Sequence, residues 1–267
     1  MKTFIYDLYF LYFKKFPINR GKTFVGRLLY KLLGDADFNI GGLYYNLNIN
    51  SLIDRYILID GDYDIEIFNA AKKALTNGGI FLDIGANFGY FSIMVSKIPN
   101  VIVFSFEPSL RELKRLHKNI YLNNSYNITV FPFCLGNENK LMDLNLCDNS
   151  NPGMNSLLDV FSTNNIQKTQ CYRLDNLLTI DFIKNVQFIK IDVEGFEEYV
   201  LKGTGKLLEN YSGQIVLEVT YYYEHIISNY NADLIYDYLE SYGFKSKYGR
   251  RYAKQYNDYF EKSKIVV

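Results

Sequence analysis

The stretch Ile80–Pro108, IFLDIGANFGYFSIMVSKIPNVIVFSFEP, decides the fold. It opens on an apolar run, Ile80 to Ile84, with Asp83 near its end. A turn bounded by Gly85 and Gly89 follows, then a segment of short-helix length, Tyr90 to Lys97. A second apolar run, Val101 to Phe106, leads into Glu107 and Pro108. Short runs that are apolar throughout read as strands buried on both faces, which is the habit of parallel sheets. Parallel neighbours need a crossover, and the helix between them supplies it.

The same alternation continues outward. Ser109-Leu110-Arg111-Glu112 has the form of a capping box, with Ser109 and Glu112 expected to satisfy each other's free amides. Leu113, Leu116 and Ile120 carry that helix's apolar face. Ile128 to Cys134 reads as a third strand, Val186 to Ile191 as a fourth and Gln214 to Val219 as a fifth. Leu141 to Cys147 alternates, with Met142, Leu144 and Leu146 on one face, and predicts an antiparallel edge strand inserted into the series. The polar stretch from Cys147 to Lys168 reads as a mobile loop. Upstream, Gly41 to Ile59 reads as extended, and Ile67, Ala71 and Leu75 mark one face of a helix that Gly78-Gly79 ends. Phe244 to Tyr248 and Ile265 to Val267 suggest terminal strands. The expected architecture is α/β: a mostly parallel sheet with helices on both faces, spanning residues 61–267, preceded by an N-terminal helical or extended segment of residues 1–60.

Composition narrows the function classes. The chain has 267 residues, 48% hydrophobic and 22% charged, with formal net charge zero. It is long enough to bury roughly three quarters of its unfolded surface. A balanced charge weighs against a nucleic-acid partner. Cys134, Cys147 and Cys171 form no paired motif, so neither a disulfide framework nor a zinc site is expected; they read as small buried hydrophobes. The apolar stretch FIYDLYFLYF, Phe4 to Phe13, is too short to span a bilayer and lacks a cleavage site. It reads as a helix packed on the domain or on a partner subunit of a homo-oligomer. The other reading is peripheral contact with a membrane surface, helped by Arg20, Lys22, Arg27 and Lys31. The expected location is the cytoplasm, extending to the inner membrane surface on that second reading.

In an open parallel sheet, ligands sit beyond the carboxyl ends of the strands. Acids cluster at those ends here: Asp83, Glu107, Asp192 with Glu194, and Glu218. The turn DIGANFG is not the dinucleotide pattern G-x-G-x-x-G, because three residues separate Gly85 from Gly89. An acid beside the turn would also repel a pyrophosphate, so a nicotinamide-dependent oxidoreductase is disfavoured. An acid beside a glycine turn suits a cationic group, and a second acid one strand–helix–strand unit later suits two ribose hydroxyls. A cationic end joined to an adenosine end describes S-adenosylmethionine.

The blocks FLDIGANFGYFS, FSFEPS and IKIDVEGFEEYVLKG, together with their order, resemble the signature of the FkbM-like family of S-adenosylmethionine-dependent methyltransferases. The resemblance covers roughly residues 60–220. It implies a Rossmann-like seven-stranded methyltransferase sheet and O-methylation, in many members within bacterial surface-glycan or natural-product pathways. It further implies that Asp83, Gly85, Ala86, Asn87 and Gly89 wrap the methionine moiety. Glu107, with Pro108 beside it, would hold the ribose, and Cys134, Leu135 and Gly136 would border the adenine.

A hydroxyl acceptor needs a base or a metal to lower its pKa. Asp192 is the first candidate, followed by Glu194, Glu218 and His225. Asp192 and Glu218 end neighbouring strands and could hold a divalent cation such as Mg or Mn through oxygen ligands. Glu197 and Glu198 read as helix-dipole partners, His117 as a surface helix residue, and Asp175 as a helix cap. Asn149, Asn151, Asn155 and Ser156 could hydrogen-bond a sugar, and the basic tail Lys245, Lys247, Arg250, Arg251 and Lys254 a phosphate. The expected substrate is a sugar nucleotide, a glycan or another hydroxyl-bearing small molecule. The absence of an N/D-P-P-Y/F motif after the fourth strand weighs against base methylation. A non-catalytic methyltransferase-like module is the competing class.

Overall fold

The computed structural model describes residues 5, 8, 11, 28, 31–147, 154–159, 164–228 and 230–262. A hairpin, β1 (Ala36–Ile40) and β2 (Leu43–Leu47), is followed by α1 (Leu52–Asp60) and α2 (Ile65–Ala74). The repeating unit begins with β3 (Gly79–Ile84), α3 (Tyr90–Val95), β4 (Val101–Phe106), α4 (Leu110–Leu122) and β5 (Ile128–Phe131). After β6 (Cys134–Leu135), β7 (Lys140–Asn145), β8 (Ile166–Tyr172) and the short α5 (Ile180–Ile183), it resumes with β9 (Val186–Ile191), α6 (Glu197–Lys202) and α7 (Gly205–Asn210). It closes with β10 (Gln214–Val219), α8 (Asp233–Ser241), β11 (Phe244–Ser246) and β12 (Tyr256–Lys262).

The central sheet has seven strands in the order β11-β12-β10-β9-β3-β4-β5. From β5 to β10 the pairing is parallel, and β12 runs antiparallel to β10 and β11. Alternate side chains feed two cores, as a period of two requires. Leu82, Ile84, Ile189, Ile191, Ile215 and Leu217 pack against α6, α7 and α8. Phe81, Val103, Phe188 and Val216 face the other way, against α1 to α3 and the hairpin. Residues 36–60 therefore build part of the second core. The chain leaves β3 toward β4 and returns on β3's other side as β9, so a switch point lies between β3 and β9.

Several expectations are corrected. Gly41–Ile59 is a strand followed by helix α1, which the β-branched and aromatic residues disguise. Ser51 caps it by accepting from the Asp54 amide, and Gly61 ends it at φ +85°. The third strand stops at Phe131 because Pro132 has no amide to donate, and Cys134–Leu135 passes to a separate three-stranded sheet of order β6-β8-β7. The alternating strand β7 belongs to that sheet, antiparallel to β8, and is not inserted into the main one. The polar loop is shorter than read, because Ile166–Tyr172 is strand β8. The capping box does not form: Ser109 Oγ is buried without a partner, and Glu112 binds Arg111 and Arg115. The last strand is Tyr256–Lys262. Ile265–Val267 lies outside the described residues, as does Phe4–Phe13 except for Ile5, Leu8 and Leu11, which are helical. No described helix is long and apolar enough to cross a membrane.

Candidate functional site

The carboxyl ends of β3, β4, β9 and β10 open into one cavity of about 420 Å³. That is within the usual range of roughly 300–1,000 Å³ for small-molecule sites. Its lining includes Gly85, Ala86, Asn87, Glu107, Pro108, Cys134, Leu135, Lys190, Asp192, Glu194 and Glu218.

The glycine turn is built by close approach. Gly85 sits at φ +80°, and a Cβ there would lie 1.8 Å from the carbonyl oxygen of Asp192, so only glycine lets β3 and β9 end together. The turn's amides are spent internally. Gly85 and Ala86 donate to the Phe106 carbonyl at 3.0 Å, and Asn87 donates to Glu107 Oε2 at 2.8 Å. Phe88 donates to its neighbour Asn87 Oδ1 and Gly89 to the Ala86 carbonyl. With no amide left over, the turn cannot cradle a pyrophosphate as a dinucleotide loop does.

Glu107 is buried at the end of β4, where Oε1 accepts from the Ser109 amide at 2.7 Å. When ionised, each oxygen of Glu107 offers two lone pairs and so keeps one acceptor position for a ligand hydroxyl, and hydrogen bonds donated by those hydroxyls favour loss of the proton that the ligand-free site holds. Burial raises its pKa to about 8, and Glu112 adds to the rise against the two amide hydrogen bonds.

Asp192, Glu194 and Glu218 converge, each with a carboxylate oxygen within 4.8 Å of the others. Asp192 Oδ2 lies 3.1 Å from Lys190 Nζ. Glu194, at φ +54°, accepts from Tyr223 Oη at 3.0 Å. Glu218 accepts from Thr220 Oγ1 at 3.0 Å and from Gln255 Nε2 at 2.6 Å. Burial, then Asp192 and Glu197, raise the Glu218 pKa to about 8; burial raises Glu197 to about 7, and Glu194 is pushed well above the ordinary range.

Other expected site residues fall elsewhere. Asp83 lies beneath the turn, outside the cavity lining: Ser92 Oγ donates to its Oδ2, and its Oδ1 faces Lys190 at 3.7 Å. Direct contact with a ligand is therefore not available to it. Gly89 is also outside the lining and serves the start of α3, where a Cβ would strike Leu116. His225 is corrected outright: the 3-10 turn Tyr221–His225 leaves it exposed and away from the cavity, while Tyr222 and Tyr223 of that turn line it. Asp175 caps α7 through the amides of Lys206 and Leu207, and Glu198 pairs with Lys202 on its own helix. Of the loop residues, Asn155 reaches the lining, Ser156 does not, and Asn149 and Asn151 lie outside the described residues. Lys254 is the member of the basic tail that lines the cavity. Lys190, Tyr63, Tyr223 and Gln255 were missed. Lys190 carried a signal: a lysine inside the apolar run VQFIKI must find a buried partner.

The buried acids have a measurable consequence. Glu107, Glu197 and Glu218 hold their protons to about pH 7–8 in the folded chain, against an ordinary value of 4.5 in the unfolded one. Their contribution to stability is full below the unfolded value and is lost as pH rises through the folded ones. The expected result is a ligand-free melting temperature that falls steadily from pH 5.5 to pH 8.5, followed by scanning calorimetry. A melting temperature that rises over that range contradicts the assigned protonation.

Residues 83–246 match the family described as the methyltransferase FkbM domain. "Methyltransferase 1" of Beauveria bassiana (strain ARSEF 2860) is 27% identical over 171 residues, which is 57% of this chain and 66% of that protein. Methyltransferase FkbM from Methylobacillus flagellatus KT is 16% identical at a TM-score of 0.47, covering 69% of this chain and 44% of that one. TYW2 of M. jannaschii, in complex with AdoMet, is 14% identical at a TM-score of 0.42, covering 86% and 87%. The chain thus spans less than two thirds of the length of the first two. With the matched segment running through most of the sheet and both sides of the cavity, the chain belongs to the FkbM methyltransferase domain family.

Proposed function

We propose that this protein is an S-adenosylmethionine-dependent O-methyltransferase acting on a hydroxyl of a sugar or sugar-containing precursor, in the biosynthesis of surface polysaccharide such as capsule or O-antigen. The observation that carries the reading is that one cavity is lined both by Glu107 and by the Asp192–Glu194–Glu218 group. S-adenosylmethionine, when bound, supplies the electrophilic methyl group. The residues fit it. Glu107 keeps acceptor positions for ribose hydroxyls, and Phe106, Pro108 and Leu135 give an apolar wall for the base. A positive charge brought beside Glu194 and Glu218 favours release of the protons that burial keeps on them, and the consumed turn amides ask for no phosphate.

Asp192 is the base in this reading: half-buried and held on one oxygen by Lys190, it accepts the acceptor's hydroxyl proton. Glu218 and Glu194 surround it, and Tyr63, Tyr222, Asn155 and Lys254 line the same cavity with groups that suit a polyhydroxylated, phosphate-bearing acceptor. The same three carboxylates form a hard oxygen set of the kind that could hold Mg²⁺ or Mn²⁺. A second acceptor class, a less polar natural product, is favoured by the exposed Leu52 and Tyr56 in the lining.

Mass spectrometry of methyl transfer across nucleotide sugars, glycans and aromatic alcohols, with and without prior chelation, tests the reaction, the acceptor and the cation together. Calorimetry with S-adenosylhomocysteine tests the cofactor, and no binding would turn the reading toward a non-catalytic module. Glu107→Ala is expected to weaken that binding by about 1–3 kcal/mol through loss of hydrogen bonds to a charged group. Wild-type affinity in the variant would remove Glu107 from the ribose.

A further inference from the structure

Lys190 occupies the next-to-last position of β9, in register with Asp83 of β3 and Val216 of β10. Its side chain is only 4% exposed. Nζ lies 3.1 Å from Asp192 Oδ2, 3.7 Å from Asp83 Oδ1 and 3.5 Å from the Gly85 carbonyl oxygen, which it reaches as donor. It also sits 5.3 Å from the centroid of the Phe91 ring. One ammonium group therefore touches the acid beneath the turn, the turn's own backbone and the candidate base.

Burying an ammonium costs several kcal/mol before its partners are counted, and an apolar side chain under Phe91 would avoid that cost. Burial disfavours the charged form, yet Asp192 and Asp83 together raise the lysine pKa above its ordinary value, so the charge persists. A residue kept merely to fill β9 would need none of this. The lysine's reach to two separate parts of the cavity is the feature that a filling role does not account for.

We propose that Lys190 is a positioning residue for the methyl transfer: it ties the Asp192 carboxylate to the Gly85 turn, so that the base and the cofactor loop keep a fixed separation. This rests on the reading given under Proposed function. An in-line displacement requires reacting atoms about 3–3.5 Å apart, and a misplacement of about 1 Å costs roughly 100-fold in rate. Tethering both sides of the reaction to one buried cation sets that distance without the cation touching the substrate.

The test compares wild type with Lys190→Gln and Lys190→Arg by three measurements: calorimetry with S-adenosylhomocysteine, steady-state kinetics on the acceptor that mass spectrometry identifies, and crystal structures of the variants. Lys190→Gln is expected to bind S-adenosylhomocysteine within about 5-fold of wild type, to keep KM for the acceptor, and to lose about 100-fold in kcat. Lys190→Arg is expected to recover most of that loss. In the Lys190→Gln crystal the Asp192 carboxylate should leave the position that it holds 3.1 Å from Lys190 Nζ in the wild type. Unchanged kcat, a lower melting temperature alone, or an unmoved Asp192 overturns the proposal. If the single variant does not fold, Asp83→Asn combined with Lys190→Gln removes the stranded charge and is read the same way. A wild type that neither binds S-adenosylhomocysteine nor methylates defeats the functional reading, while the position of Asp192 in the variant crystal still decides whether Lys190 holds it.

Discussion

Asp192→Asn should reduce methyl transfer by about 10²–10⁴-fold, the range supplied by a positioned general base. Its effect on S-adenosylhomocysteine affinity should stay within a few-fold. The amide is nearly isosteric and can still accept from Lys190, so the Gly85 turn and Glu107 keep their places; what disappears is the proton acceptor. Single-turnover kinetics followed by mass spectrometry, with calorimetry alongside, reads both quantities. Should turnover survive, the proton leaves by another group, and Glu218, buried with its pKa near 8, becomes the next to replace. Should affinity collapse together with rate, Asp192 holds the cofactor instead.

Arg115→Met should strongly destabilise the fold. Arg115 is 5% exposed and carries ion pairs to Asp54 of α1 and to Glu112 of its own helix, the latter at 2.7 Å. It also donates to the Asn46 carbonyl and lies 4.4 Å over the Phe88 ring. Methionine fills much of the volume but takes the buried cation from Asp54, which keeps only amide partners, and leaves Glu112 with Arg111 alone, both carboxylates being 1% exposed. Breaking a buried pair from one side costs about 3–5 kcal/mol. For a chain of this size that corresponds to a fall in melting temperature of roughly 10 °C. Thermal melts of the variant and of Arg115→Met combined with Asp54→Asn check the mechanism, because the double variant should regain part of the loss. A shift of only two or three degrees would mean that water reaches these acids readily.

The parts of the fold legible in the sequence are those whose environment is uniform. Strands β3, β9 and β10 are buried on both faces, and β4 is so beyond the exposed Ile102 near its start, so their apolar runs show their extent directly. Strand β8 was hidden because IQKTQCY belongs to a small sheet with one open side, where polar residues are ordinary. Helix α1 was hidden because its place is decided at long range, by Asp54 reaching Arg115. The site divides similarly. Position at a strand end located Glu107, Asp192, Glu194 and Glu218, yet it does not say to which side a carboxylate turns. Asp83 turns inward to Lys190 and Ser92, and His225 turns outward to solvent. Gln255 was not legible at all, since nothing local connects it to Glu218.

The cavity borrows from both ends of the chain. Leu52, Ile53, Tyr56 and Tyr63 precede the matched segment 83–246, and Lys254 and Gln255 follow it. A fragment cut to that segment would retain the glycine turn and the three carboxylates but would lack the flanking panels and the amide that steadies Glu218. On the reading proposed above, part of the surface offered to the acceptor therefore lies outside the matched segment, and exchanging residues 52–63 and 254–255 between relatives tests whether those stretches choose the substrate.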